Sequence, residues 1–277
     1  MHSIAARFVA NRTATAGAAC LTVIAVCILA GPALVPFDSE QVFWDAIGDG
    51  PSFLTRHFFG TDTHGRDLLS RTLEGGRVSL AVGVVAAAVS VIIGLIYGAV
   101  AGFVGGRVDG VMMRFVDVLY CLPFMFFAII LTLVFGRNLV LIFVAIGAVG
   151  WLTMARIVRA QAMSLRSEEF ISAARVAGAS RSRIIAAHIA PNLIGPVVVY
   201  AALTVPNMIL VESFLSFLGL GVQEPQASWG TLVAEGAGVM ETAPWILLFP
   251  GSVLTLTLLS LNAIADGIRD ALDVRVS

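Results

Sequence analysis

The ionisable side chains of this sequence are few, and their types leave most catalytic chemistry without its usual residues. All 17 basic residues are Arg. Because a phosphate-binding loop needs a Lys beside its glycines, the chain lacks that motif for binding ATP. The histidines, which have no Cys or His neighbour at metal-ligand spacing, are His2, His57, His64 and His188. The sequence therefore predicts no catalytic, cofactor-binding or metal-binding residue in this chain.

One acidic residue, Glu212, lies at the end of a long apolar stretch. A carboxylate at membrane depth costs a few kcal/mol and tends to face a cavity, so Glu212 could contact an amine or another cation along a translocation path. The alternative is an acid at the outer end of a helix that reaches water. A gradient-driven secondary transporter would need more such groups. An intramembrane protease is less favoured still, because only His188 lies near a span and no zinc motif is present.

The segment from about 156 to 192 is rich in Arg and carries helix signals of its own. Ser167 is a suitable N-cap, and Glu168 and Glu169 then lie where the helix dipole favours acids. Gly178 suits the left-handed position after the last turn, so a helix of about three turns is predicted. Its apolar residues recur at i, i+3, i+4 and i+7 and form a narrow stripe: Phe170, Ala173, Ala174 and Ala177.

A second short helix is predicted directly after the first. Ser180 offers another N-cap, and Pro191 is expected to end the helix. Two short helices with small side chains predict a protein docking surface on the cytoplasmic side. The alternative is an amphipathic element resting on the inner leaflet, but such a face normally carries bulky Leu, Phe or Trp. The residues that this second helix is expected to present are Ile184, Ile185, His188 and Ile189.

The composition, 58% hydrophobic and 13% charged, is too apolar for a water-soluble domain. Six stretches without Asp, Glu or Arg are long enough for a transmembrane helix, which needs roughly 18 residues. They are residues 13–37, 78–106, 118–136, 138–155, 184–211 and 242–265. A cytoplasmic N-terminus places twelve Arg inside and five outside, as the positive-inside rule favours. The sequence predicts an all-α polytopic membrane protein with six transmembrane helices and both termini cytoplasmic.

The remaining signals concern packing and the extracytoplasmic side. Small residues that let membrane helices approach closely are Gly83, Gly94, Gly98 and Gly102. Pro123 predicts a kink in the third span. Residues 38–77 form an extracytoplasmic segment rich in acids, Gly and aromatics, and loop 219–241 bears acids that we expect to be solvated. The tryptophans expected to anchor the protein at the membrane interface are Trp44, Trp229 and Trp245.

Residues 169–180, Glu-Phe-Ile-Ser-Ala-Ala-Arg-Val-Ala-Gly-Ala-Ser, resemble the coupling loop of bacterial ABC importer permeases. That loop has a Glu-Ala-Ala triplet followed after three residues by Gly. Here Ser172 replaces the Glu, while the two alanines and Gly178 match. The resemblance implies contact between this loop and an ATPase subunit through Glu169, Phe170, Ala173, Ala174, Arg175, Gly178 and Ser180.

Other motifs narrow the resemblance to the second permease of dipeptide and oligopeptide importers. They lie at residues 59–71, 105–114, 215–230 and 262–273, so the resemblance covers nearly the whole chain. Val274 departs from the Pro usual in the family, which bears only on the tail. The implied fold is the type I ABC importer permease fold, divided into an N-terminal helix with its extracytoplasmic segment (1–77) and a five-helix core (78–277).

The resemblance also implies partners and a location. These are a second homologous permease, two cytoplasmic ATPase subunits that hold ATP and Mg, and an extracytoplasmic peptide-binding protein. The chain itself would bind no cofactor and no nucleic acid and would lie in the lipid of the bacterial inner membrane. The expected cargo is an oligopeptide, with dipeptide, glutathione or nickel, the cargoes of sister importers, as the alternative.

Overall fold

A computed structural model describes residues 4–135 and 139–272, and this part of the chain is helical without a β-strand. The α-helices are α1 (Ile4–Ala10), α2 (Arg12–Leu34), α3 (Leu68–Val104), α4 (Gly106–Cys121), α5 (Phe124–Phe135), α6 (Leu139–Arg166), α7 (Glu169–Val176), α8 (Arg181–Ile184), α9 (Ala190–Phe217), α10 (Trp229–Gly238) and α11 (Pro244–Leu272). A π-helical turn, Ile185–Ile189, joins α8 to α9, and a 3₁₀ turn, Trp44–Ala46, follows α2. The predicted all-α class is confirmed.

Helical stretches of the described part that are long and apolar enough to cross a membrane are Arg12–Gly31, Leu68–Val104, Arg181–Phe217 and Pro244–Leu272. They match four of the predicted spans and confirm a polytopic membrane protein. The other two predicted spans, 118–136 and 138–155, fall on α4, α5 and α6. Arg137 and both chain ends, including Val274, lie outside the described residues. A count of six spans and cytoplasmic termini therefore stay predictions.

Helices α3 and α6 make the most extensive contact between described elements, and this contact depends on glycines of α3. A Cβ added at Gly98 would collide with the carbonyl oxygen of Ala155, so α6 can approach only a bare backbone. Nearer the start of α3, Gly83 leaves room for the side chain of Ile209 on α9. The predicted close approach of helices at these glycines is confirmed.

Two helices extend beyond the charge-free stretches that predicted them. Helix α3 begins at Leu68 rather than at residue 78, because Asp67 caps it by accepting a hydrogen bond from the Ser70 N–H at 2.9 Å. Helix α6 continues to Arg166, so the first part of the predicted loop 156–192 is helical. The charge-free stretch marks the length that lipid can cover, whereas hydrogen bonding decides where the helix ends. The division at residue 77 stays a prediction, and α3 is continuous there.

Pro123 divides the predicted third span into two helices, where the sequence predicted only a kink. Helix α4 ends at Cys121 and α5 begins at Phe124. Between them Leu122 is extended, with φ −75° and ψ 123°, the conformation that a following proline favours. Pro123 also has no N–H with which to continue the hydrogen bonds of α4.

The segment between α2 and α3 folds against α10 and α11. The ring of Phe59 stacks on that of Phe249 with 4.1 Å between centroids, and Trp245 donates from Nε1 to the Thr61 carbonyl at 3.4 Å. Trp229 is fully buried and donates from Nε1 to the Thr72 carbonyl at 3.0 Å. Its predicted role as a membrane anchor is therefore wrong, because the start of α10 packs this indole on α3.

Candidate coupling site

Helix α7 lies where the first docking helix was predicted, but it is shorter. Its N-cap is Glu168, whose side chain makes no capping hydrogen bond, and the helix contains 8 residues, Glu169–Val176. The prediction of about three turns with Ser167 as the cap is wrong. The Ser167 hydroxyl instead donates to the carbonyl of Ser164 at 2.7 Å, because α6 runs on almost to this point.

The C-terminal end of α7 forms as predicted, with Gly178 in the left-handed conformation at φ +82°. The N–H of Ala179 donates to the Ala174 carbonyl at 3.0 Å, and that of Gly178 donates to the Arg175 carbonyl at 3.0 Å. This pair of bonds is the Schellman motif, which satisfies carbonyls that the helix leaves without partners. The turn reverses the chain within a few residues, so α7 and α8 lie close together.

Helix α7 has one buried and one exposed face. Ile171 is fully buried in a cluster with Phe103, Val158 and Leu193 from α3, α6 and α9, and Ala174 packs partly against the same cluster. The guanidinium of Arg175 lies 5.4 Å from the centre of the Phe103 ring, a cation–π contact. The exposed residues of the predicted stripe are Phe170, Ala173 and Ala177. Ile171 was missed, although its spacing of i, i+3 with Ala174 could have indicated an inward face.

The second helix is confirmed at its start but not at its end. The Ser180 hydroxyl accepts a hydrogen bond from the Arg183 N–H at 3.4 Å and caps α8. Pro191 does not end the helix, because the N–H of Ala190 bonds to the Ile185 carbonyl, one residue further back than in an α-helix. This wider π-turn places Pro191 in the first turn of α9, where a missing N–H costs little. The chain is thus helical from Arg181 to Phe217.

The two helices enclose an open groove lined by Phe170, Ala173, Ala174, Ala177, Gly178, Ala179, Arg183 and His188. The Phe170 and His188 rings face each other across it with 6.5 Å between centroids. Of the residues predicted for ATPase coupling, Glu169, Arg175 and Ser180 lie beside the groove rather than in its lining. Arg183, on α8, and His188, in the π-turn, were not predicted as lining residues. The groove exposes the methyl groups of its alanines and the backbone at Gly178, together with the side chains of Phe170, Arg183 and His188.

Glu212, the residue suggested for a translocation path, is fully buried between α3 and α9. Its carboxylate accepts hydrogen bonds from the hydroxyls of Ser79 at 3.0 Å, Ser216 at 2.7 Å and Ser213 at 3.4 Å. In this conformation it reaches neither outside water nor an open path. Contact with cargo would require α3 and α9 to separate.

A cluster of ion pairs joins the α2–α3 segment to the loop that contains α10. Arg66 donates to Asp62 at 2.8 Å and to Glu224 at 2.8 Å, while Arg71 donates to Asp62 and, at 2.9 Å, to Glu235. Burial raises the pKa of Asp62, but the Arg66 N–H and the charge on Arg71 outweigh it and lower the pKa below its ordinary value. The expectation of a solvated acidic loop is wrong for Glu235, whose side chain is 17% exposed.

Three possible metal ligands also meet in this cluster. Oxygens of Asp62 and Glu235 and a ring nitrogen of His64 lie within 4.8 Å of one another. The two carboxylates already accept hydrogen bonds from Arg71. A pair of guanidinium groups supplies the positive charge that a metal would supply, so the geometry fits ion pairing.

The sequence matches known families along most of its length. Residues 90–277 match the binding-protein-dependent transport system inner membrane component, and residues 1–51 match the N-terminal TM domain of oligopeptide transport permease C. The oligopeptide transport system permease protein OppC of Escherichia coli (strain K12) is 57% identical to this chain, covering 96% of it and 88% of the relative.

More distant relatives align over the same extent. OppC of Bacillus subtilis (strain 168) is 39% identical to this chain, and the alignment covers 98% of this chain and 88% of the relative. The dipeptide transport system permease protein DppC of the same strain is 42% identical, and the alignment covers 96% of this chain and 83% of the relative. The predicted resemblance to importer permeases is confirmed. This chain belongs to the family of binding-protein-dependent transport system inner membrane components.

Proposed function

We propose that this chain is the pore-forming transmembrane subunit of an ATP-driven oligopeptide importer, and that α7 couples it to partner ATPases. The observation that carries the proposal is the exposed groove beside α7, which combines small side chains with a turn whose backbone is hydrogen-bonded to α7. The cargo is inferred from relatives that are named oligopeptide permeases. Because the chain has no Lys for a phosphate-binding loop, ATP and Mg would be held by the partners.

The proposed residues have two roles in coupling: some contact the ATPase, and others hold the turn that presents the contact surface. Phe170, Ala173 and Ala174 would form the contact surface for an ATPase. Gly178 and Ser180 would fix the turn that presents it. Glu169 lies in the first turn of α7 and Arg175 in its last turn. Both would stabilise the helix, because the helix dipole favours an acid at the N-terminal end and a base at the C-terminal end.

The packing around α7 supports transmission of movement to the membrane. Ile171 ties α7 to the cluster that includes Leu193 of α9, and the chain is helical from Arg181 to Phe217. A protein that displaces α7 would therefore displace α9 as well. Glu212 lies on α9. It would contribute to the translocation path only in conformations in which α3 and α9 have separated.

The proposed assembly contains a second homologous permease, two ATPase subunits and an extracytoplasmic peptide-binding protein in the bacterial inner membrane. The test is co-expression of this chain with those subunits, followed by purification and reconstitution into vesicles. ATP-dependent uptake of labelled peptide by the complete complex is expected. An ion gradient that drives uptake by this chain alone would contradict the proposal.

A dipeptide is the second candidate cargo, favoured by the 42% identity to a dipeptide permease. Glutathione and nickel, the cargoes of sister importers, are less favoured. Competition for uptake by unlabelled peptides of increasing length, by glutathione and by nickel separates these cargoes. Strongest competition by peptides longer than two residues is expected for an oligopeptide importer.

A further inference from the structure

A second groove, of about 410 Å³, lies between α6 and α9. It extends from Ile146 to Ile157 on α6 and from Tyr200 to Val211 on α9. At 1.5 Å per residue each wall is about 16 Å long, which equals about five residues of an extended peptide. The volume falls within the usual range for ligand-binding cavities.

The lining of this groove is apolar with a few uncharged polar groups, and the only ionisable group among its described residues is the Tyr200 phenol. Thr204 donates to the Tyr200 carbonyl at 2.7 Å, and Asn207 donates to the Leu203 carbonyl at 2.9 Å. Each side chain keeps further hydrogen-bonding capacity, because a hydroxyl oxygen has two lone pairs and an amide has a carbonyl and a second N–H. Uncharged donors and acceptors suit a peptide main chain, which is common to cargo of any sequence.

The lining favours a variable ligand over a packed helix of another subunit. Close helix contacts in membranes are enriched in small residues. The small residue in this lining is Gly150, and α3 already packs against it, since a Cβ at that position would collide with the Ser90 hydroxyl. The groove presents Met208 instead, and a flexible thioether side chain adapts to ligands of different shape.

We propose that the α6–α9 groove binds the main chain of the cargo peptide during translocation, with Thr204 and Asn207 as its hydrogen-bonding contacts. This inference rests on the proposed function and assigns the cargo contact to a surface that is open in this conformation. Glu212 is enclosed by serine hydroxyls in the same conformation and would not contribute to this step.

The first test compares two double variants in the reconstituted complex. Thr204→Val with Asn207→Leu removes the polar contacts of the groove. Thr255→Val with Asn262→Leu removes the same pair of side chains from α11, where each also bonds to its own helix, at 2.8 Å in both cases. The groove variant is expected to raise the KM for peptide uptake about tenfold, as the loss of two hydrogen bonds predicts, while the α11 variant keeps the wild-type KM. Equal KM values for both variants would overturn the inference.

The second test measures access to the groove directly. Asn207→Cys is introduced after Cys20, Cys27 and Cys121 have been replaced by Ala, and its reaction with a thiol reagent is followed. Saturating peptide is expected to slow the reaction at least several-fold in the assembled complex. A thiol that is unreactive in the complex without peptide would mean that another subunit fills the groove, and the inference would be wrong. Failure of the wild-type complex to import peptide would instead contradict the proposed function.

Discussion

The hydroxyl of Ser79 on α3 donates a hydrogen bond to Glu212 on α9 at 3.0 Å and accepts one from the backbone N–H of Trp229 at 3.1 Å. One side chain thus links α3, α9 and the start of α10. All three groups are buried, so no water replaces a missing partner. The enclosed carboxylate therefore stabilises the contact between these helices in this conformation.

Replacement of Ser79 tests this link. Ser79→Ala leaves Glu212 with one donor fewer and the Trp229 N–H without its acceptor, which costs about 1–3 kcal/mol for a buried polar group. We expect a clear fall in the thermal unfolding temperature of the purified protein in detergent. The exposed Ser252→Ala on α11 serves as the control. Equal unfolding temperatures for the two variants would contradict a linking role of Ser79.

The left-handed conformation of Gly178 gives a second prediction. Gly178→Val forces a branched side chain into φ +82° and costs at least about 1–2 kcal/mol, so the turn after α7 should lose its geometry. ATP hydrolysis by the assembled complex is expected to fall. Gly178→Asn should restore much of it, because Asn tolerates this conformation. No atom lies within 4 Å of a Cβ placed at Gly178, so contact of that Cβ with the rest of the chain does not account for a loss.

The ion-pair cluster should resist mild acid. Because the pKa of Asp62 is lowered on folding, its contribution to stability is complete above the ordinary value of 3.8 and is lost as the pH falls through the folded-state value. Limited proteolysis is therefore expected to leave the α2–α3 segment intact at about pH 5 and to cut it only in stronger acid. Cleavage that begins near neutral pH would show that these carboxylates do not hold the segment.

Loss of one arginine should open the same segment at neutral pH. Arg71→Met leaves the buried Asp62 without one of its cationic partners, and breaking a buried pair costs about 3–5 kcal/mol. We expect rapid proteolysis of this variant. The exposed Arg56→Met, in the same segment, is expected to match the wild type.

Local signals allowed much of the candidate coupling site to be predicted from the sequence. The Gly178 turn and the Ser180 cap depend on a few neighbouring residues, and the alanine stripe follows helical periodicity. Ser167 was misassigned as a cap because α6 extends past its charge-free stretch. Pro191 was misread as a helix end because a π-turn accommodates it. Both errors come from hydrogen bonding that composition does not encode.

The other features depend on residues that are distant in the sequence. Glu212 is enclosed because α3 brings Ser79 to it, and Trp229 is buried because α10 packs on α3. The pairing of Arg66 with Glu224 and the α6–α9 groove likewise exist only after the helices have packed. No periodicity or spacing along one segment reports such contacts.

The most direct measurement of the central claim is ATP hydrolysis coupled to peptide uptake by the assembled complex when the α7 groove is filled. Ala173→Trp places an indole in the groove, whereas Val176→Trp adds the same group on α7 outside the groove lining, at a side chain that is 91% exposed. We predict that Ala173→Trp lowers coupled uptake about tenfold or more, as a steric cost of 1–3 kcal/mol implies, and that Val176→Trp retains it. Wild-type uptake by the Ala173→Trp complex would contradict the coupling role of this groove.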